Sequence, residues 1–390
     1  VIDYIQVHYN FILDNKHLLI IDEAQECLPI IKMMKHFCEE RRDIPLIVSG
    51  SLVRIRINRY AHKRGKYADK SFLFPVGKIN QLMIYPMTFD EFLYNYQKNT
   101  YDFVKKSFDE KKELNNDIHC DLINIFNEFL FVGGMPEAVA VYLETNDLAK
   151  VAKVHEKIIR LYKTDFSKYE KNYKLKLQEI YDAMPGQLDQ KNKRFQLNAI
   201  EKGMSYDRLK NDFLWLKDAG VAIPVYNISE PKLPLIISEN RNLFKLFFSD
   251  VGLLTSCYSN QVKLAILNKE KAINNGALFE NVVAQELLAK RHKEYYFNSK
   301  QQGELDFVIE LDGKVVPLEI KSGKDYKRHS ALNNVLKNEN YKIEEAYILS
   351  EGNIEIEGKR VYMPIYMIMF LENTELTNTI YKIDLDGLGE

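Results

Sequence analysis

Residues His17–Gln25 have the sequence HLLIIDEAQ, and this stretch decides the fold that the sequence predicts. Four apolar residues, Leu18–Ile21, run directly into the acidic pair Asp22 and Glu23. A short continuous apolar run is typical of a strand that is buried on both faces inside a parallel sheet. Ligands of such sheets bind beyond the carboxyl ends of the strands, which is where we expect both acidic side chains.

The acidic pair has the residue types of a Walker B site, where nucleotide hydrolases hold Mg²⁺ and activate water. Asp22 is the candidate for holding Mg²⁺, and Glu23 is the candidate for polarising the attacking water. The alternative is a strand that ends in an ordinary solvated turn. The next strand favours the functional interpretation, because Leu46–Ser51 (LIVSGS) is a second apolar run that ends in small polar residues. Ser49 and Ser51 are therefore candidates for positioning that water or sensing the γ-phosphate.

The composition is that of a globular protein with several cores. The chain has 390 residues, of which 46% are hydrophobic and 28% charged, which is room for about two to four domains. A net charge of −1 excludes a wholly basic protein, so any contact with nucleic acid must come from local patches. The four cysteines form no C-x-x-C pair, which predicts reduced thiols. No apolar run has the length of a membrane span and no leader opens the sequence, so we expect a cytoplasmic protein.

The phosphate-binding loop of a nucleotide hydrolase is missing from the sequence. No Gly-Lys pair is followed by Ser or Thr, as the motif G-x-x-x-x-G-K-[ST] requires. Because few residues precede His17, we expect that the first strand and the loop lie outside this sequence; a degenerate site is the alternative. This chain is therefore expected to bind ATP weakly or not at all.

Two further motifs follow LIVSGS: the pair Gly77-Lys78, and YPMTFDEFL at 85–93, in which Thr88 and Glu91 form a capping box. In the order IIDEAQ, IVSGS, Gly-Lys and YPMTFDEFL, the sequence resembles a prokaryotic family of AAA-type ATPases with a C-terminal domain of unknown function. Family members often have Arg after the glycine, so the role of Lys78 stays open.

The resemblance implies an α/β fold, with ATP and Mg²⁺ as cofactors. It implies four parts of the chain: the C-terminal part of an AAA-type P-loop core with a parallel sheet (1–95), a helical lid (96–147), a winged-helix module (148–240) and a C-terminal domain (241–390). A turn similar to Gly133–Glu137 (GGMPE) occurs in the family's lid. The winged helix would consist of two helices, the second at Ser205–Ala219, and a wing of two strands, Val221–Tyr226 and Leu233–Ser238. Such modules bind DNA or dock proteins, and the mixed charge of this helix leaves both alternatives open.

The C-terminal domain contains an ordered set of charged residues. Gly276–Ala289 is a predicted helix with Glu280 near its start, and Glu304–Leu311 and Lys314–Lys321 are predicted strands joined by a tight Asp-Gly turn. Asp306 lies near the start of the first strand. The alternation of side chains along a strand puts the Glu and Lys of the sequence E-I-K (319–321) on one face of the second.

A helix Glu, then Asp306, then Glu319-x-Lys321 resembles the PD-(D/E)xK nuclease fold, a restriction-endonuclease-like α/β fold. The resemblance implies that Glu280, Asp306 and Glu319 hold Mg²⁺. Glu319 and Lys321 would be catalytic, with Lys321 orienting a water molecule or stabilising charge on the scissile phosphate. The alternative is a surface hairpin with an ordinary charge pair, and the same fold also serves as a non-catalytic DNA-binding or docking domain. Basic residues just after the motif are candidates for phosphate contacts: Lys324, Lys327, Arg328 and His329.

The sequence therefore favours an AAA-type ATPase, hydrolysing ATP in its full-length form, whose nucleotide state controls a nuclease-like domain that acts on DNA. One alternative is a nucleotide-switched regulatory or protein-docking module that cleaves nothing. Another is an Mg²⁺-dependent nuclease with a vestigial ATPase part. The expected partners are ATP and DNA, with no membrane. Active AAA sites often borrow an arginine from a neighbouring subunit, so a homo-oligomer is a further expectation.

Overall fold

The computed structural model describes residues 2–24, 27–50, 77–97, 99–166, 171–200, 203, 206–268, 270, 275–323 and 325–374. These residues form a mixed α/β structure, which confirms the predicted class. The chain divides into two compact units, one of Val1–Tyr85 with Met204–Ala222 and one of Pro86–Gly203 with Ile223–Glu390. Within the described ranges, none of the helices combines the length and the apolar character that crossing a bilayer requires.

The described helices, in chain order, are α1 (Ile2–Tyr9), α2 (Leu28–Glu40), α3 (Phe89–Tyr96), α4 (Thr100–Asp109), α5 (Asn116–Val132), α6 (Pro136–Thr145), α7 (Leu148–Phe166), α8 (Lys171–Leu188), α9 (Tyr206–Asp218), α10 (Val251–Ser256), α11 (Asn260–Leu267), α12 (Gly276–Ala289) and α13 (Ser330–Lys337). The described strands are β1 (Leu19–Ile21), β2 (Leu46–Val48), β3 (Ala222–Ile228), β4 (Glu239–Phe248), β5 (Tyr295–Ser299), β6 (Gly303–Leu311), β7 (Lys314–Ile320), β8 (Ala346–Ser350), β9 (Glu355–Glu357) and β10 (Arg360–Pro364).

In the first unit, β1 and β2 form a two-stranded parallel sheet in which Leu19 lies opposite Leu46. Helix α2 connects the two strands, and the two strands predicted from the apolar runs are confirmed. A small core of Leu13, Phe37 and Ile44 is buried in this unit. The parallel pairing places the carboxyl ends of both strands at the same edge of the sheet.

The second unit contains an eight-stranded sheet in the order β4-β3-β5-β6-β7-β8-β10-β9. The β6–β7 hairpin and the β5–β6 pair are antiparallel, whereas β7–β8, β8–β10 and β3–β5 are parallel. Asp312 and Gly313 turn the hairpin with φ angles of +48° and +73°. Positive φ at both positions is what a two-residue hairpin turn requires, so the predicted Asp-Gly turn is confirmed.

The prediction of a strand at Leu233–Ser238 is wrong. Residues Leu235–Ser238 form a 3₁₀ helix, whose first residue is buried. Its backbone N–H donates a hydrogen bond of 2.6 Å to Glu310 Oε1. Prolines at 231 and 234 precede this segment, and proline has no N–H to donate to a sheet. The other predicted wing strand is β3, which is hydrogen-bonded within the eight-stranded sheet, and the winged-helix module stays a prediction.

Helix α12 lies against β4 and β7, and every residue from Ala277 to Leu287 is buried. A helix that is buried on all sides must provide a partner for each of its polar side chains. Asn281 does so by accepting from the N–H of Phe248 at 2.8 Å and donating to its carbonyl at 3.1 Å. Gln285 accepts in the same way from the N–H of Val251. Glu280, the predicted site residue on this helix, therefore also needs a partner in the interior.

Candidate functional site

Asp22 and Ser49 lie next to each other beyond the carboxyl ends of β1 and β2. The parallel ladder continues past both strands, because Ser49 N–H donates to the carbonyl of Ile21 at 2.9 Å and Ala24 N–H donates to the carbonyl of Ser49 at 3.0 Å. The Ser49 hydroxyl donates to Asp22 Oδ1, which also accepts from the N–H of Glu23 at 2.9 Å. These hydrogen bonds, the one from Ser49 first, hold the pKa of Asp22 below its ordinary value.

The chain turns sharply at this edge of the sheet. Glu23 has a φ of +52°, in the left-handed region that costs a residue with a Cβ about 1 kcal/mol. The turn leaves the side chains of Asp22 and Glu23 both exposed to solvent. An ionised, exposed carboxylate is the oxygen ligand that Mg²⁺ takes beside substrate phosphates, so Asp22 fits the predicted role. Ser51, the other predicted sensing residue, lies outside the described residues.

Lys78, whose role the sequence left open, forms an ion pair with Glu39 near the end of α2. The same segment is joined to α2 a second time, because the thiol of Cys38 lies 3.6 Å from the carbonyl oxygen of Lys78. Both contacts are within the first unit. The Gly-Lys pair therefore fastens the chain to α2 in this structure.

The second predicted centre brings together residues from α12, β6 and β7. Asp306 on β6 accepts a hydrogen bond of 2.8 Å from the N–H of Ile320, which ends β7. Lys321 follows β7, and its Nζ lies 2.7 Å from Oε1 of Glu319. Glu280 of α12 and Asp306 both lie within 4.0 Å of one further ammonium group. All four predicted residues therefore belong to one charged cluster, with Glu319 and Glu280 almost fully buried.

The sequence analysis did not include three members of this cluster: Lys245 on β4, Lys193 and Glu304. The Lys245 ammonium lies 2.9 Å from Glu304 Oε1, 3.5 Å from Glu280 Oε2 and 4.0 Å from Asp306 Oδ1. Lys193 forms an ion pair with the other oxygen of Glu280. A signal existed for two of them. Lys245 is the one charge in the apolar run LFKLFF (243–248), and Glu304 precedes Asp306 by two residues, so both project from one face of β6.

The cluster shifts the pKa values of its members in opposite directions. Burial, together with the nearby carboxylates of Glu280 and Glu319, raises the pKa of Asp306 well above its ordinary value. Burial also raises the pKa of Glu319, although the Lys321 ammonium opposes it. Burial alone would raise the pKa of Glu280, but Lys245 and Lys193 outweigh it and hold that pKa below its ordinary value. Ionised Glu280 is therefore the counter-charge of both lysines.

The C-terminal cluster, as placed, does not fit Mg²⁺. No three Asp, Glu, His or Cys side chains among the described residues are arranged to hold a metal ion jointly. At this cluster the Lys245 ammonium already contacts Glu280 and Asp306. One oxygen, Oε2 of Glu319, is buried and has no hydrogen-bond partner within the described ranges. The metal roles predicted for Glu280, Asp306 and Glu319 stay predictions that this geometry does not favour.

Two of the basic residues after the motif have partners elsewhere in the structure. Lys327 pairs with Glu355 at 2.8 Å and with Glu357 at 3.3 Å. His329 is buried, and its Nε2 lies 3.3 Å from the hydroxyl of Tyr362. His329 is therefore not accessible to a phosphate, whereas Lys327 is paired at the surface. Lys324 lies outside the described residues.

Two family models match parts of the chain. "Domain of unknown function (DUF8612)" matches residues 123–263, and "Domain of unknown function (DUF4143)" matches residues 275–368. The first match includes Lys193 and Lys245, and the second includes the four predicted residues of the C-terminal cluster. No curated protein and no solved structure matches the chain significantly. Domains of the second family are typically found alongside AAA ATPase domains, which agrees with an AAA-associated protein.

Proposed function

We propose that this chain belongs to an ATP-binding protein of the AAA type, in which the edge of the sheet at Asp22 faces the nucleotide. The observation that supports the proposal is the pairing of Asp22 with Ser49 beyond two adjacent parallel strands. Nucleotides bind at this edge of parallel sheets, and the pairing keeps an ionised carboxylate there. The occurrence of the second matched family alongside AAA ATPase domains supports the same proposal.

Each residue of this edge has a separate role in the proposal. Asp22 holds the Mg²⁺ ion, which shields the charge of the phosphate oxygens when it is bound. Ser49 fixes the Asp22 carboxylate by donating its hydroxyl hydrogen. Glu23 follows Asp22 and is exposed, and it polarises the water that attacks the γ-phosphate. Ser51 is proposed to sense that phosphate.

ATP hydrolysis is proposed for the protein in which a phosphate-binding lysine precedes β1. The printed sequence has no G-K-[ST] motif, so the chain alone is expected to bind ATP weakly or not at all. Reading the coding sequence ahead of Val1 is the first test. A G-x-x-x-x-G-K-[ST] motif there supports the proposal, and a start codon at that point with no such motif contradicts it. Micromolar binding of ATP by this chain in calorimetry would contradict the expected weak affinity.

Variants of the protein that includes the loop test the individual roles. Glu23→Gln is expected to slow ATP hydrolysis by at least about 100-fold, because a general base contributes that much, and to leave ATP binding intact. Asp22→Asn is expected to weaken Mg²⁺-dependent ATP binding. Asp14→Asn is the matched control, since Asp14 lies in the same unit and pairs with His17. Equal rates of ATP hydrolysis in the Glu23→Gln variant and the unaltered protein would contradict the proposed role of Glu23.

For the C-terminal domain we propose a contact with DNA that is controlled by the nucleotide, with cleavage as one outcome. The second candidate is a regulatory or docking domain that cleaves nothing, and the position of Lys245 among the acids favours it. Plasmid nicking in the presence of Mg²⁺ separates the two candidates. Nicking that is lost in Asp306→Ala supports a nuclease, and no nicking by either protein supports the second candidate. Nicking that is indifferent to ATP would indicate a nuclease with a vestigial ATPase part.

A further inference from the structure

Lys245 is a buried cation in the middle of an apolar strand. Its side chain is 1% exposed, and it extends from β4 between residues that are otherwise apolar. An ammonium group in such a place loses several kcal/mol of hydration free energy, which nearby carboxylates must offset. Three carboxyl groups do so here, at 2.9 Å from Glu304, 3.5 Å from Glu280 and 4.0 Å from Asp306. The ring of Tyr296 lies 5.2 Å from the same ammonium and adds a weaker attraction.

This ammonium lies beside the position that a metal ion shared by Glu280 and Asp306 would take. A Mg²⁺ ion between Glu280 and Asp306 would lie about 2.0–2.1 Å from an oxygen of each. The Lys245 Nζ already contacts oxygens of both residues. A divalent ion placed there would meet a fixed positive charge within a few ångströms, in an interior that screens charge weakly. The Lys245 ammonium therefore opposes the binding of a metal ion between these two acids.

Cations of the protein itself already face the acids of this cluster. The lysines at 193, 245 and 321 face the carboxyl groups at 280, 304, 306 and 319. Three ammonium groups therefore offset most of the negative charge that would attract a divalent ion.

We propose that Lys245 is the resident cation of this cluster and takes the place of the divalent metal ion of a nuclease centre. The C-terminal domain therefore binds no Mg²⁺ at Glu280 and Asp306 in its native form. The lysine instead joins α12, β4 and β6 through one network of charges. Replacing its ammonium group with an apolar end exposes the carboxylates to one another and creates a cation site that the native chain lacks.

Manganese binding by the intact chain tests this directly, with Mn²⁺ read by electron paramagnetic resonance and by thermal denaturation. The native chain and Asp306→Asn are expected to take up the same amount of Mn²⁺, because the native cluster binds none. Lys245→Met is expected to bind Mn²⁺ at least about tenfold more tightly, since a like charge has been removed, and to gain thermal stability with the metal. Lys245→Met/Asp306→Asn should lose that gain. Mn²⁺ bound at Asp22 would not depend on Asp306, so the Asp306 variant distinguishes the two sites.

Lys263→Met is the matched control, because Lys263 is a buried lysine with no ion pair to a carboxylate in the described part of the chain. It should leave Mn²⁺ uptake unchanged. Native protein that binds Mn²⁺ in an Asp306-dependent manner overturns the proposal, as does a folded Lys245→Met variant that gains no site. Should Lys245→Met not fold, Lys245→Met/Glu304→Gln removes one opposing charge as well, and the native chain and Asp306→Asn still decide the question.

Discussion

The carboxylate of Asp250 accepts a hydrogen bond from the backbone N–H of Gly134, 116 residues earlier in the chain. The same side chain caps α10, because its Oδ1 accepts from the N–H of Leu253 at 3.0 Å. A Cβ added to Gly133 would lie 2.3 Å from that oxygen. One buried carboxylate therefore joins the turn between α5 and α6 to the start of α10, and the approach is so close that only glycine fits the turn.

Gly134→Ala is expected to destabilise the protein by about 3 kcal/mol, the upper range for overpacking a closed site. A Cβ at this position would lie 1.9 Å from the carbonyl oxygen of Met87, whose N–H also donates to the carbonyl of Gly134 at 2.7 Å. The backbone there cannot yield without losing that bond. Urea denaturation gives the free energy of unfolding. Gly186→Ala is the control, since nothing lies within 4 Å of its added Cβ, and equal stability of the two variants would contradict the prediction.

Glu286→Gln is expected to remove a pH dependence of stability. Burial, and next the Asp90 carboxylate, raise the pKa of Glu286 from 4.5 to about 8, and its Oε1 accepts from Phe89 N–H at 2.6 Å. The folded protein therefore keeps a proton that the unfolded chain has lost, so stability falls as the pH rises from about 4.5 to 8, by about 4 kcal/mol. Glutamine keeps the acceptor and does not titrate.

Denaturation of both proteins at several pH values between 5 and 8.5 checks this prediction. The free energy of unfolding of Glu286→Gln, relative to the native protein, should increase with pH. Glu344→Gln is the control, because the Lys314 ammonium pairs with Glu344 at the surface and lowers its pKa, which puts its titration below this range. Parallel pH profiles for all three proteins would show that Glu286 is not the group responsible.

Elements with a local cause could be predicted from the sequence. The helix Gly276–Ala289 was predicted with the bounds that the structure gives, and the Asp-Gly hairpin turn was predicted from two residues. The adjacent strands β1 and β2 follow from two apolar runs. In each case the residues that determine the element are neighbours in the chain, so the pattern is visible without knowledge of the tertiary structure.

Partners that are distant in the chain could not be predicted in this way. Lys245 meets Glu280 across 35 residues, and Lys193 meets the same carboxylate across 87. The motif identifies the acids and Lys321 because their spacing is local, but it gives no account of the two lysines that pair with Glu280. The apolar composition of Leu235–Ser238 predicts a strand, whereas the prolines before it disfavour one, and the structure has a 3₁₀ helix there.

His155→Gln is expected to make the protein more resistant to acid. His155 is buried, and its Nε2 lies 3.0 Å from the carbonyl oxygen of Val132. Burial lowers its pKa from 6.5 to about 4. Between these two pH values the unfolded chain binds a proton at His155, and the folded protein does not. Stability is therefore present above pH 6.5 and is lost as the pH falls towards 4, by about 3 kcal/mol.

The glutamine amide can donate to the same carbonyl and takes up no proton, so the variant should lose less stability than the native protein between pH 7 and 4. Thermal denaturation across that range checks it. His36→Gln, at an exposed position on α2, should follow the native profile. If the acid transitions of His155→Gln and the native protein coincide, His155 is not the group that causes the loss of stability in acid.

Glu91→Ala is expected to lower the free energy of unfolding by about 1 kcal/mol, the usual effect of losing a helix cap. Helix α3 begins with a capping box in which Glu91 Oε2 accepts from the N–H of Thr88 at 3.0 Å. In Glu91→Ala the partly buried N–H of Thr88 has lost its acceptor. In Glu91→Gln the amide oxygen can accept the same hydrogen bond. Urea denaturation should therefore rank the alanine variant below the glutamine variant. Equal losses in both would assign the effect to the negative charge of Glu91 at the helix start and not to the hydrogen bond.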